Sequence, residues 1–488
     1  MHIFQIGFYL VAFAASFVPL AAAGEFPANG EEHISKVEQS LIPSVRFKGR
    51  EPSTLNKRMQ QLHVPGVSVA VIDNYQIAWA KAYGLADTET GTLVTVDTLF
   101  QAGSVSKPVA TLASLKLVEQ GVLDLDRNVN DQLKSWKVPD NKFTKEHPVA
   151  LRGLLSHTGG LTVHGFPGYE RGKPIPTVPQ ILDGVKPANT QPVRVNKVPG
   201  EGFRYSGGGT TIAQLLLVDV TGRQFPDLLR DTVLEPLGMT SSTYEQPLPE
   251  RLWSRAATGH AADGKPVAGR WHIYPEMAAA GLWTTPSDVA RYAIEIQLAH
   301  QGKSHKVLNH EMVERMLTPQ GGGPVGLGLF LEGQTASKRF GHDGGNEGFV
   351  CQFVAYMGCG QGAVVMTNSA SGGTIAREIV NSIALVYGWP DYLAPEREAA
   401  KVDPKRIDRY LGDYDLGLIG RMKVHRDQNR VVAKAPLGVE LELFMVSDTD
   451  FLSEDPGITG KFVVDDQGNV KEVVVKFFDQ TLKGKRKQ

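Results

Sequence analysis

The chain is poor in cysteine, with only Cys351 and Cys359 among 488 residues, which is too few for a disulfide framework. Cys351 falls in an apolar run that reads as a strand and Cys359 in the Gly-rich turn after it, a poor placement for a bridge, so two thiols are expected. An excess of either charge is also missing. Lys and Arg number 51 against 52 Asp and Glu, a net charge of −1, so no broad field would draw nucleic acid or an anionic membrane to the surface. The one basic cluster, Lys483, Lys485, Arg486 and Lys487, reads as a solvated, frayed tail. There is no His-Glu-x-x-His and no paired Cys-x-x-Cys, and the 13 histidines lack ligand spacing, so neither metal nor cofactor is expected. No serine has glycine two residues before and two after it, which excludes a nucleophile elbow. Gly321 to Gly326 formally fits G-x-G-x-x-G, but it contains Pro324 and leads into an apolar run rather than a helix, so a dinucleotide site is rejected.

What the chain does have begins with an apolar stretch from Ile3 to Leu20, then Ala21-Ala22-Ala23 and a polar segment. That order of parts predicts a signal peptide over 1–23 with cleavage near Ala23-Gly24, and hence a periplasmic or secreted protein. The charged n-region is absent, which leaves an uncleaved anchor as the other reading; no later run could span a bilayer, so no stable membrane insertion is expected once the segment is removed. Residues 24–50 read as a linker with one helix. Gly66 to Ile72, a turn at Asp73-Asn74 and Ile77 to Ala80 predict a hairpin. From Ser104 the pattern turns helical and is apolar on most faces up to Gly121, which predicts a central buried helix. Further helices are expected at 210–221, 286–300 and 374–387, and strands at 326–330, 349–354 and 363–366. Strands at both ends with helices between them predict an α+β domain over 51–390, an antiparallel sheet flanked by helices with a helical subdomain. A Pro-rich charged linker, 391–405, then leads to an all-β module over 406–488, with short alternating runs such as Val439, Leu441 and Leu443.

Ser104 precedes Lys107 by three positions, the only such spacing in the chain, and at helical spacing the two side chains share a face. A serine hydroxyl needs a group to take its proton as it attacks, and a buried lysine with a depressed pKa can do so. A helix N-terminus beneath the serine would favour a developing oxyanion. Tyr205-Ser206-Gly207 precedes the 210–221 helix and offers a phenol as proton shuttle. His342-Asp343-Gly344-Gly345 precedes a strand, where the glycines would let a substrate backbone approach and the imidazole would offer a donor.

In the order Ser-x-x-Lys, Tyr-x-x, His-x-Gly, these motifs resemble those of the penicillin-recognising serine hydrolases: class C β-lactamases, DD-peptidases, D-aminopeptidases and related esterases. The resemblance extends to Thr98–Lys107, Leu154–Leu161, Pro236–Met239 and Gly281–Asp288 and covers roughly residues 50 to 390. It implies that Ser104 is acylated, that Lys107 and Tyr205 share the base and acid roles, that the amides of Ser104 and Gly345 form an oxyanion hole, and that His342, Gly344 and Gly207 line the substrate site. His157 resembles a structural position of the family. Two departures bear on substrate. Gly207 stands where many relatives carry an Asn that holds an acylamide, and His342 where β-lactamases usually carry Lys. Both favour a D-residue peptide or carboxylic ester over a β-lactam, with a class C-like β-lactamase and a catalytically silent binder of peptidoglycan fragments as alternatives. A small-molecule or peptide partner is implied, and the oligomeric state is left open. The C-terminal module resembles the small lipocalin-like barrel appended to some members.

Overall fold

A computed structural model describes residues 30–400, 404–417, 420–427, 430–434, 440–454, 458–477 and 480–487. The expected signal peptide and its cleavage site, residues 401–403 of the expected linker, and Val439 lie outside the described residues.

The larger region is built on a seven-stranded antiparallel sheet. Its strands are β1 (Gly66–Asp73), β2 (Gln76–Asp87), β3 (Thr92–Leu93), β4 (Phe330–Glu332), β5 (Arg339–Asn346), β6 (Phe349–Tyr356) and β7 (Gly362–Thr367), in the spatial order β3-β2-β1-β7-β6-β5-β4. The chain leaves the sheet after β3 and returns at β4, so the central pairing of Val69 with Val365 is closed by residues nearly 300 positions apart.

Strand alternation divides the core into two layers. Val67, Val69 and Val71 face one side, with helix α1 (Gly30–Gln39) and a long helix near the end of the domain, Gly372–Val386, packed over them through Ile34, Val37, Ile379 and Ile383. Ala70, Ile72, Val364 and Met366 face the other side and meet the helical subdomain. There α2 (Ser106–Glu119) is buried on nearly all faces, as its lack of a polar stripe predicts. Also on this side are α3 (Gly207–Thr221), α4 (Met277–Ala280) and α5 (Pro286–His300).

Three local expectations need correction or refinement. His342–Gly345 not only precedes the strand at Phe349 but lies within a strand of its own, β5, which pairs with it. Gly326–Leu329 is not a strand, which starts only at Phe330; Gly328 takes φ +82° and passes so close to α2 that a Cβ would sit 2.5 Å from Thr111 Oγ1. The basic C-terminus is no frayed tail. Gln480–Arg486 is a strand, with Lys485 opposite Glu472, Lys487 Nζ 2.8 Å from Asp415 and Arg486 donating to the Leu411 carbonyl.

The C-terminal region forms a nine-stranded antiparallel sheet whose end strands, Glu440–Glu442 and Phe444–Met445, adjoin in sequence, so that it is a nearly closed barrel. Side chains fill its interior around Phe462, which stacks on Tyr410 at 4.4 Å and meets Phe451 at 5.0 Å. Gly460 makes room for this, since a Cβ there would fall 2.1 Å from Phe451. The barrel is tied to the larger region through residues 46–50 and the chain leading into it. Phe47 stacks on Phe444 at 4.4 Å, Arg50 pairs with Glu442 at 2.8 Å, and Ala400 N donates to Met445 O.

Candidate functional site

Ser104 sits on a 3-10 turn, Gly103–Val105, that runs directly into α2. Gly103 enters the turn at φ +52°, where L side chains are rare. The turn is fixed from beneath by Ser106, whose hydroxyl donates to Gly103 O at 2.6 Å and accepts from Leu282 N at 3.0 Å. Strand β5 crosses the turn at very close range. A Cβ on Gly344 would lie 1.9 Å from Ala102 O and 3.0 Å from Ser104 N, and one on Gly103 would lie 2.5 Å from Gly345 N. Only glycines allow this approach, whereas a Cβ on Gly345 would meet nothing within 4 Å. Because β4 pairs with β5 only at residues 339–341, the stretch from His342 to Asn346 has one strand neighbour, β6, and turns its other edge to the Ser104 turn.

Lys107, one helical turn after the serine, is buried and donates from Nζ to Ser104 Oγ at 2.8 Å and to the Ala279 carbonyl at 2.7 Å. Burial without a countercharge lowers its pKa from 10.5 to about 7. Glu276, fully buried just ahead of α4, has its carboxyl raised by burial to about 8, which keeps it in the acid form at neutral pH.

Tyr205 reaches the same serine from the N-terminal side of α3. Ser206 caps that helix, its hydroxyl accepting from Gly209 N at 3.0 Å, which fixes the residue before it. The Tyr205 side chain hydrogen-bonds Ser104, and burial pushes its phenol well above the usual range, so it carries its proton at neutral pH. Lys107 Nζ lies 5.1 Å from the centre of its ring. His342 is buried 6.0 Å from Tyr205, centroid to centroid, and its Nδ1 contacts the Asp343 carbonyl at 2.6 Å. A carbonyl only accepts, so Nδ1 holds the proton; burial and the charge on Lys107 lower the imidazole pKa to about 3, which leaves the ring neutral.

The fold therefore gathers Ser104, Lys107, Tyr205, His342 and Gly344 from three separate segments. Gly207 stands differently. Its N–H is committed to His164 O at 3.0 Å, and the Phe166 ring and His164 O lie 3.0 and 3.1 Å from where its Cβ would be. Some participants carry no sequence signal: Ala279 contributes only a carbonyl, and Asn346 Nδ2 bonds Gln101 Oε1 and Ala280 O, both at 3.0 Å. Ser106 was in view as the middle of the Ser-x-x-Lys motif, but its clamp depends on Leu282, 176 positions away. His157 accepts from Ser206 N through Nδ1 at 3.2 Å and lies 4.3 Å from the Tyr205 ring, which supports the phenol from behind.

The family model described as Beta-lactamase matches residues 53–387. The chain belongs to the Beta-lactamase family. Family membership supports a serine hydrolase in the general sense. Penicillin-binding protein 4 of Amycolatopsis lactamdurans is 28% identical over 364 residues, covering 70% of this chain and 91% of that protein. The unguisins hydrolase ungD' of Aspergillus campestris is 30% identical over 221 residues, but these make up 43% of this chain and 38% of that one. Among solved structures, the octameric penicillin-binding protein homologue of Pyrococcus abyssi superposes with a TM-score of 0.61 at 23% identity, over 88% of this chain and 98% of that one. SurE follows at 0.55 and 22% identity, over 89% and 97%. At these identities the two structures speak for the Beta-lactamase fold. Both cover more of the chain than the family model does, so the likeness reaches into the barrel. Among the described residues no helix is long and apolar enough to cross a membrane, and no cluster of His, Cys, Asp and Glu is arranged to hold a metal.

Proposed function

We propose that this protein is an exported serine acyl-transfer hydrolase that forms an acyl-enzyme on Ser104 and hydrolyses a small amide or ester. The observation that carries the reading is the 2.8 Å contact from Lys107 Nζ to Ser104 Oγ, made by a buried lysine whose pKa of about 7 leaves much of it neutral at physiological pH. In this mechanism neutral Lys107 takes the serine proton as Oγ attacks the substrate carbonyl carbon. The oxyanion is held by the amides of Ser104 and Gly345, and Tyr205, still protonated, passes its proton to the leaving group and is reprotonated from Lys107. Water then attacks the ester on Ser104, with the same two groups moving its proton in reverse. No metal or cofactor enters this scheme.

The neutral His342 supplies no cation for a carboxylate beside the scissile bond, and the space an Asn at position 207 would use is taken by Phe166. These features favour a D-residue peptide or a carboxylic ester over a β-lactam. Export rests on the leader pattern at the N-terminus.

The test is intact-protein mass spectrometry after exposure to a fluorophosphonate, a penicillin and an activated ester. A single adduct on the wild type and none on Ser104→Ala establishes the nucleophile, and the reagent that labels or turns over sorts peptidase or esterase from β-lactamase. Equal labelling of both proteins would overturn the mechanism. The absence of any adduct would favour a silent ligand-binding protein.

A further inference from the structure

A run of aromatic side chains leads outward from the reacting groups. Phe330, half-buried on β4, meets His342 edge-on at 5.1 Å and lies nearly parallel to Tyr205 at 6.2 Å. Phe203 continues from it at 6.2 Å and is 36% exposed, one of the few large apolar side chains left open to solvent among the described residues. A second wall comes from the loop after Leu161, where half-buried Phe166 occupies the space beside Gly207 and His164 lies 4.8 Å from the Tyr205 ring. That loop is strained. Val163, a β-branched residue, adopts φ +61°, a conformation rare for such side chains, while its carbonyl accepts from Gly208 N. Packing within the core does not require half-exposed rings to be presented at the nucleophile in this way.

Two cations beside this surface, Lys107 over the Tyr205 ring and Arg204 next to Phe203 in the chain, are already engaged. Lys107 is bound to Ser104 and Ala279, and Arg204 turns away, donating to the Leu161 carbonyl at 2.8 Å and to Asn196. An aromatic surface without a committed countercharge selects uncharged apolar groups and gives a carboxylate no partner for its desolvation.

We propose that Phe203, Phe330 and Phe166 form a subsite for an uncharged aromatic or branched apolar group next to the scissile bond, so that the substrates are hydrophobic esters or amides lacking a free carboxylate there. The inference rests on the acyl-transfer reading above for its place beside the bond, but it is testable without catalysis.

Two substrate pairs separate the two sides of the bond: p-nitrophenyl phenylacetate against p-nitrophenyl acetate for the acyl side, and benzyl acetate against ethyl acetate for the leaving-group side. The wild type is expected to favour the aromatic member of at least one pair by about tenfold or more in kcat/KM. Phe330→Leu and Phe203→Leu are expected to bring that ratio toward one. In parallel, saturation-transfer NMR on Ser104→Ala should detect benzyl acetate bound more tightly than ethyl acetate, with the difference lost in Ser104→Ala/Phe330→Leu. No preference in either pair, or a preference that survives both Phe substitutions, would overturn the subsite. If none of these esters is hydrolysed, the acyl-transfer reading is decided by the adducts on Ser104, and the NMR comparison alone decides the subsite: selective binding that depends on Phe330 supports it, and equal binding overturns it.

Discussion

The turn that carries Ser104 and the interior of the C-terminal barrel are both densely packed, but they use their burial in opposite ways. In the barrel Phe462 is enclosed by Tyr410, Tyr414 and Phe451, and the tyrosine hydroxyls find carbonyl partners, Tyr410 on Asp448 and Tyr414 on Tyr410. Around Ser104, burial falls on groups that would be more stable in water: Lys107 without a countercharge, and the imidazoles of His342 and His157, whose pKa values burial lowers. The barrel gains stability from burial. The site gives some up to hold a lysine deprotonated and a serine in place, which is the trade expected where chemistry is done.

Substitutions at each end can break this contrast. The largest effect is expected from Phe462→Ala, which should destabilise the barrel by about 3–5 kcal/mol while leaving the rate of Ser104 labelling unchanged; denaturation and probe kinetics on the same protein check both. Next is Gly344→Ala. Its methyl would require movement of the Ala102 carbonyl, 1.9 Å away, and the resulting shift between β5 and the serine is expected to lower kcat/KM by about 100-fold. Gly345→Ala, pointing into open space, should be far milder in stability by thermal melting, so the pair tests whether close approach or backbone freedom is what the strand needs.

Lys107→Met should remove activity yet raise stability by about 1 kcal/mol or more. The sign follows from the proton count. The folded pKa of about 7 lies below the ordinary 10.5, so between these values the unfolded chain binds the extra proton and wild-type stability increases with pH. The variant should lack that contribution to the slope. In the wild type, kcat/KM should decline below about pH 7 as Lys107 takes up its proton, a limb that a pH profile would show. The smallest effect is expected at the junction of the two regions. Arg50→Ala loses a half-exposed pair with Glu442 and a contact 4.8 Å over the Phe444 ring, about 1 kcal/mol at most, read as a small shift in the barrel's unfolding midpoint.

Much of the architecture was legible in the residues. The apolar run Val67–Ile72 ahead of the Asp73-Asn74 turn indicated a buried strand, and apolar groups on most faces of the segment after Ser104 indicated a buried helix, because both signals are local to one element. The strand assigned to 326–330 misled, since Leu327 and Leu329 are buried in an irregular segment whose path is set by the approach of Gly328 to Thr111. The basic tail misled for a related reason: alternate positions of a barrel strand face solvent, so a strand can be rich in lysine and still be fully paired.

At the site, the sequence by itself determined which groups could carry the chemistry. Ser104 and Lys107 share a helical face by spacing alone, and the resemblance of the surrounding motifs singled out Tyr205 and His342. Only the tertiary structure decided their state. Whether Lys107 is a base depends on how completely it is buried and on Ala279, 172 positions away, and whether Gly207 leaves an open pocket depends on Phe166, which enters from another loop. Spacing along a chain fixes which side chains face together within one element. Desolvation and steric occupancy are set by whatever else packs there, and that information exists only once distant segments meet.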